Sequence, residues 1–183
     1  MHGAAGSMHE CTRHSQIMET DMQVYVGTYA KYNNGDLTGD WLKLEDYADE
    51  EEFLKACKVI HNDEADPEFM FQDHVGVPDS MISEPHIDEA VWEVIEAFEE
   101  HDEYAVRAYI ECFGQWDADG FRDNYRGEFA SWREMAEELL DETGQLDDCP
   151  PLLTSYFDYD RYAHDLRLSG DFVEHDGHFF WNS

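Results

Sequence analysis

Three features predict an α+β fold for this chain. Apolar residues alternate in strand fashion near both ends, helical amphipathic periodicity fills the stretch between, and helix-start signals fall at the joins. Apolar residues make up 42% of the 183 positions and aromatics 14%. A packed core can therefore form although 44 Asp and Glu face only 11 Lys and Arg. The net charge of −33 limits the partners from the outset. Nucleic acid and anionic membrane surfaces both call for a basic footprint, so direct binding to either is excluded. No apolar run approaches the ~18 residues of a membrane span and no signal-peptide pattern opens the chain, which predicts a cytoplasmic protein.

Residues 1–21 lack Leu, Val, Phe, Tyr and Trp. They read as a disordered leader or an added extension, with Met22 a natural starting point. His2, His9, Cys11 and His14 fall there at irregular spacing, which favours adventitious metal binding over a built site. From Gln23 to Tyr29, Val24 and Val26 alternate with Tyr25 as a strand. Asn33-Asn34-Gly35 then supplies a turn into a second strand, Leu37 to Leu44. Asp49 with Glu52 makes a capping signal for a helix that presents Phe53, Leu54, Cys57 and Ile60 on one face. Phe69 to Val75 returns as a third strand, giving one helix on three antiparallel strands.

From Ile87 the period becomes helical. Ile87, Val91, Val94, Ile95 and Phe98 form an apolar stripe, and Tyr104 to Phe113 and Asp117 to Tyr125 give two further short helices. Ser131 with Glu134 caps a helix running through Leu140, and a helix-like segment follows over Tyr156 to Leu168. Phe172 to Trp181 folds back about His175-Asp176-Gly177-His178, a type I′ hairpin signal. The expected division is an N-terminal α+β unit over 22–81, a helical middle over 82–124 and a C-terminal α+β unit over 125–183. Cys11, Cys57, Cys112 and Cys149 form no CxxC pair and read as reduced thiols.

The acids are patterned as well as numerous. Glu89, Glu93, Glu96, Glu100 and Glu103 are spaced four, three, four and three apart, which on one helix makes a carboxylate stripe with no cation in it. Five carboxylates over about 21 Å compare with about six phosphates of one DNA strand over the same length. Further acidic runs are Glu50, Glu51 and Glu52; Asp63, Glu64 and Asp66; and Glu137, Glu138, Asp141 and Glu142. Residues 22–183 hold 41 acids and 10 bases, a net charge of −31. That equals the charge on about 53 Å of duplex, or roughly 15 base pairs. These fifteen acids are the candidate DNA-mimicking surface.

Other chemistries leave no comparable mark. There is no GxSxG, HExxH, P-loop or EF-hand loop, so no enzyme, cofactor or metal is expected. Carboxylates this numerous fall at glycosidase-like separations by chance. His164, His175 and His178, with Asp165, Asp171 and Asp176, could suggest a metal site, but His175 and His178 flank a hairpin turn and read as strand-edge residues. Tyr156, Phe157, Tyr159 and Tyr162 read as core or interface rather than catalytic residues.

Two longer segments carry a resemblance. Val24-Tyr25-Val26-Gly27-Thr28-Tyr29-Ala30-Lys31-Tyr32-Asn33-Asn34-Gly35 with Gly39-Asp40-Trp41-Leu42-Lys43-Leu44, and Leu152-Leu153 with Tyr156 through Leu166, are similar to the N-terminal signature and the antirestriction motif of the ArdA proteins. The resemblance covers about 22–183. It implies an inhibitor, carried on conjugative plasmids and transposons, that occupies the DNA-binding groove of Type I restriction-modification enzymes as a DNA mimic. The partner would be the methyltransferase core of modification and specificity subunits. It also implies an elongated, curved chain of three domains that dimerises through the last, where Tyr156, Phe157, Tyr159 and Tyr162 would form the interface. Two other readings of the charge stand beside it: a chaperone-like acidic binder of another basic DNA-binding partner, and a halophilic or cation-buffering domain.

Overall fold

The computed structural model describes residues 21–182. The leader expected over 1–21 therefore lies outside the described residues except for Asp21, which forms an ion pair with Lys43. Helices and antiparallel sheets together make the predicted α+β fold.

Strand β1 (Gln23–Thr28) is followed by a five-residue helix, α1 (Tyr29–Asn33), then β2 (Asp40–Lys43), helix α2 (Glu50–Ile60) and β3 (Phe69–Val75). The sheet order is β2-β1-β3, both pairings antiparallel. The expected tight hairpin between β1 and β2 is thus opened by α1. The Thr28 hydroxyl accepts from the Lys31 amide and starts that helix, and Gly35, at φ +76°, follows its end. The turn residues act here as a helix stop, and β2 is four residues rather than eight. Asp49 caps α2 as expected, accepting from the Glu52 amide at 2.9 Å. Phe53 and Cys57 face the core, and Leu54 and Ile60 are half-buried.

A small hairpin, β4 (Ile82–Ser83) with β5 (His86–Ile87), precedes α3 (Ala90–Glu100), α4 (Glu103–Phe113) and α5 (Ala118–Asn124). Ile87 therefore stands on a strand, not on the helix it was expected to open. The chain also breaks at His101 and Asp102: Asp102 caps α4 through the Ala105 amide at 3.0 Å. Glu103 belongs to this next helix, so the five-acid stripe is not one continuous helical row.

Next come β6 (Tyr125–Glu128), α6 (Trp132–Thr143), α7 (Pro151–Thr154), α8 (Tyr159–Ser169), β7 (Phe172–His175) and β8 (His178–Trp181). Sequence reasoning missed β6, whose Tyr-Arg-Gly-Glu has little strand character and which is held by pairing with β8 in the order β6-β8-β7. The type I′ turn is confirmed: Asp176 and Gly177 lie at φ 49° and 86°. Ser131 caps α6 and Glu134 reaches back to the Ala130 amide at 2.7 Å, completing the capping arrangement. The single helix expected over Tyr156 to Leu168 is interrupted, because Asp158 caps a new start at Tyr159. Tyr156 and Phe157 consequently sit on a connector.

Two cores form, and β8 is the wall between them. Phe180, fully buried, joins a cluster that includes Val24, Val26, Phe53, Val91, Trp92, Tyr109 and Phe121. Its neighbour Phe179 points the other way, into Met135, Leu139 and Phe172. Period-two alternation along one strand thus ties the N-terminal sheet and helical middle to one face of the C-terminal sheet, and α6 and α8 to the opposite face.

Candidate functional site

The exposed face of α3 is the natural place to look for the acidic surface. Val91, Trp92, Val94 and Ala97 bury the opposite face. That burial contributes roughly 1.5–3 kcal/mol for each large apolar side chain, against a few tenths for each like-charge pair on the outside. Glu89, Glu93, Glu96 and Glu100 are all exposed, and none has an ion pair among the described residues.

Packing brings a second element to this face. Phe53 of α2 lies 5.9 Å from Phe71 of the sheet and 6.0 Å from Trp92 of α3, centroid to centroid. The start of α2 is thereby held beside the start of α3. Asp49, Glu50, Glu51, Glu89, Trp92 and Glu93 line a hollow of 510 Å³. Glu93 also borders a second hollow of 330 Å³, completed by Glu96, Ala97, Glu100, His101, Trp116 and Ala118. Acids some forty residues apart in sequence thus share one surface with an indole in each hollow. Spacing along the chain gives no sign of this, because the contact is made by Phe53 and Trp92.

The other predicted acids divide sharply. Glu51 pairs with Lys55 at 2.7 Å, Glu103 with Arg107 at 2.8 Å and Glu137 with Arg133 at 2.8 Å, while Glu142 pairs with Arg126. The cation-free stripe is corrected at Glu103, since Arg107 one turn further on neutralises it and also donates to the Gly76 carbonyl. Asp63 and Glu64 both face Lys31, at 2.9 and 3.7 Å. The hydrogen bond between Lys31 and Asp63 raises the lysine pKa and lowers that of the carboxyl. Glu52 is spent on the Ala48 amide at 3.2 Å. Asp66, Glu138 and Asp141 are exposed with no ion pair among the described residues, and Glu50 is half-buried in the first hollow.

The C-terminal aromatics form a partial cluster. Phe157 packs edge-on to Tyr159 and Tyr162, at 4.9 and 5.8 Å, and Arg133 lies over Tyr159. Tyr156 stands apart at 80% exposure, in company with Leu152 and Leu153 at 71% and 59%. His175 and His178 face each other across the hairpin, but His178 is buried and bonds the Tyr125 hydroxyl at 3.0 Å, so it is no free strand-edge residue.

A family model described as antirestriction protein (ArdA) matches residues 24–180. The chain belongs to the ArdA antirestriction family. No curated protein matches it. Membership supports an antirestriction role, with restriction-modification enzymes as the targets that such a role suggests. Among the described residues no helix is long and apolar enough to cross a membrane.

Proposed function

We propose that the protein inhibits Type I restriction-modification enzymes by occupying their DNA-binding groove as a mimic of duplex DNA, without turnover. The observation that carries this reading is the unpaired acidic face of α3 joined by the start of α2. Glu93, Glu96 and Glu100 span about 10.5 Å of helix axis, the length of roughly three phosphate steps on one DNA strand. A groove built to grip phosphates meets carboxylates there that no cation among the described residues has claimed.

Eight of the ten cations in the described region are held in ion pairs with its own acids. The protein therefore offers little cationic surface that a phosphate-binding groove would repel. Pairing of two copies through the C-terminal unit would double the acidic length. The exposed Leu152, Leu153 and Tyr156, next to Phe157, Tyr159 and Tyr162, supply apolar area of the kind an interface core uses.

Competition with a labelled duplex for a purified methyltransferase core of modification and specificity subunits tests the reading. Displacement should be competitive, weaken steeply with salt, and release no product from nucleotide or nucleic acid. Displacement that is insensitive to salt, or any turnover by the pure protein, contradicts it.

A further inference from the structure

Away from the α3 face, Lys31, His61, Asp63 and Glu64 form a cluster that the mimicry reading does not use. His61 is fully buried. Its Nε2 lies 3.1 Å from the Val26 carbonyl, which can only accept, and its Nδ1 lies 3.0 Å from the Lys31 ammonium, which can only donate. The partners therefore assign the proton to Nε2 and make Nδ1 the acceptor, its lone pair directed into the cluster and taken by the Lys31 ammonium. A backbone carbonyl that fixes the tautomer this way is the support that metal-binding histidines ordinarily have.

The carboxylates are arranged to match. The Thr28 hydroxyl donates to Glu64 Oε1 at 2.7 Å and orients it, while Asp63 stands at the open edge, 63% exposed. One ligand atom each from His61, Asp63 and Glu64 lies within 4.8 Å of the others. The cation at their focus is the Lys31 ammonium, 3.0, 2.9 and 3.7 Å from Nδ1, Oδ1 and Oε1. It already stands in for an ion. The site also has an entrance: a hollow of 240 Å³ lined by Ala30, Lys31, Asn34, Asp36, Asp63 and Glu64.

We propose that His61, Asp63 and Glu64 form a divalent transition-metal site of the zinc class, which Lys31 closes by holding its ammonium where the ion would sit. One imidazole and two carboxylates suit Zn²⁺ at about 2.0–2.2 Å, so the ligands must draw in from their present distances. Asp63, exposed and at the edge, is the ligand free to do so. The displaced lysine has a second carboxylate at hand in Asp36, on the wall of the same hollow. Affinity is then set by competition between Lys31 and the ion, which gives the site an unusual signature: removing the Lys31 ammonium should tighten binding, whereas removing a ligand should weaken it.

Zn²⁺ titration of the full chain against a chromophoric chelator, with excess Mg²⁺ to occupy ordinary carboxylate sites, reads this directly. His2, His9, Cys11 and His14 are common to every variant, so differences between variants report the cluster. Lys31→Met should bind Zn²⁺ about tenfold more tightly than the wild type, as a charge-assisted competitor is lost. Asp63→Asn, a change on an exposed side chain that leaves the core intact, should weaken binding about 10- to 100-fold in either background. Co²⁺ in place of Zn²⁺ should give a visible ligand-field band in Lys31→Met that Asp63→Asn abolishes. Equal Zn²⁺ affinity in Lys31→Met and wild type, or binding untouched by Asp63→Asn, overturns the proposal and assigns the ion to the N-terminal histidines or surface acids.

Discussion

Replacing Glu93, Glu96 and Glu100 together with glutamine tests whether the α3 face, rather than the total charge, is what a DNA-binding groove recognises. Each side chain keeps its shape, and none has an ion pair among the described residues, so the fold loses only mutual repulsion. Facing a cation of the partner at a solvated interface, each carboxylate contributes about 0.2–1 kcal/mol. Three together should weaken inhibition roughly threefold to 150-fold, and any one alone by about fivefold at most. The control is a second triple, Glu137→Gln, Glu142→Gln and Asp165→Asn, which changes the net charge equally but removes acids already paired with Arg133, Arg126 and Arg161. Displacement of a fluorescent duplex from a Type I methyltransferase core supplies the readout, with circular dichroism to confirm folding. Equal losses from the two triples would show that only net charge matters. Abolition by Glu93→Gln alone would show a point site.

Phe180→Ala should destabilise the protein by about 3–5 kcal/mol in urea denaturation, since this fully buried ring packs edge-on or tilted against Tyr109, Phe113, Phe121 and Tyr125; an unchanged midpoint would remove β8 as the wall between the cores. On the proposed pairing through the C-terminal unit, Leu152→Ser with Tyr156→Ser should shift sedimentation toward monomer while leaving thermal stability nearly unchanged, because both side chains are exposed within one chain. Burial pushes the Cys57 thiol up to about 12 from 9.0 and that of Cys112 to about 11. Both should resist iodoacetamide at pH 8, where a thiol of pKa 9 is about a tenth ionised, and label faster as pH rises. The sign for stability follows. The folded state holds these protons more tightly, so their contribution is complete below pH 9 and declines between about pH 9 and 12 as the unfolded thiols ionise; alkaline urea titrations that show rising stability there would contradict it.

Elements marked by local chemistry were legible in the sequence. Asp49, Ser131 and the Asp176-Gly177 turn are where their patterns place them, since a cap or a type I′ turn is decided within four residues. Misses occurred where tertiary context decides. The strand β6 exists because β8 is beside it, and α1 occupies what reads as a turn because Thr28 caps it and the Tyr29 amide is taken by the Glu68 carbonyl. The acids of the site were legible as residues, but their grouping was not. Spacing placed Glu103 in line with Glu100, whereas the Asp102 cap moved it to another helix and Arg107 took its charge. Asp63 and Glu64 read as free charge because nothing in the chain between Lys31 and His61 announces that α1 will deliver a lysine to them.

The acids of this chain serve three distinct ends, and separating them shows why α3 stands out. Asp49, Asp102, Asp117 and Asp158 are N-caps whose carboxylates accept helix amides, a position where negative charge is favoured by the helix dipole. These four would be expected in any stable helical protein. A second group, among them Glu51, Asp63, Glu103, Glu137 and Glu142, is matched to a cation and presents little net field. What remains is charge that neither begins a helix nor balances a base, and α3 carries it on one face without a single Lys or Arg between Ala90 and Glu100. A helix stabilised only by its own sequence would place lysines there and gain from the pairing. This one tolerates the repulsion because Val91, Trp92, Val94 and Ala97 anchor it from behind. The same anchor fixes the carboxylates in space. A flexible acidic tail of equal charge would lose conformational entropy on entering a groove, whereas acids mounted on a packed helix have already lost it in folding.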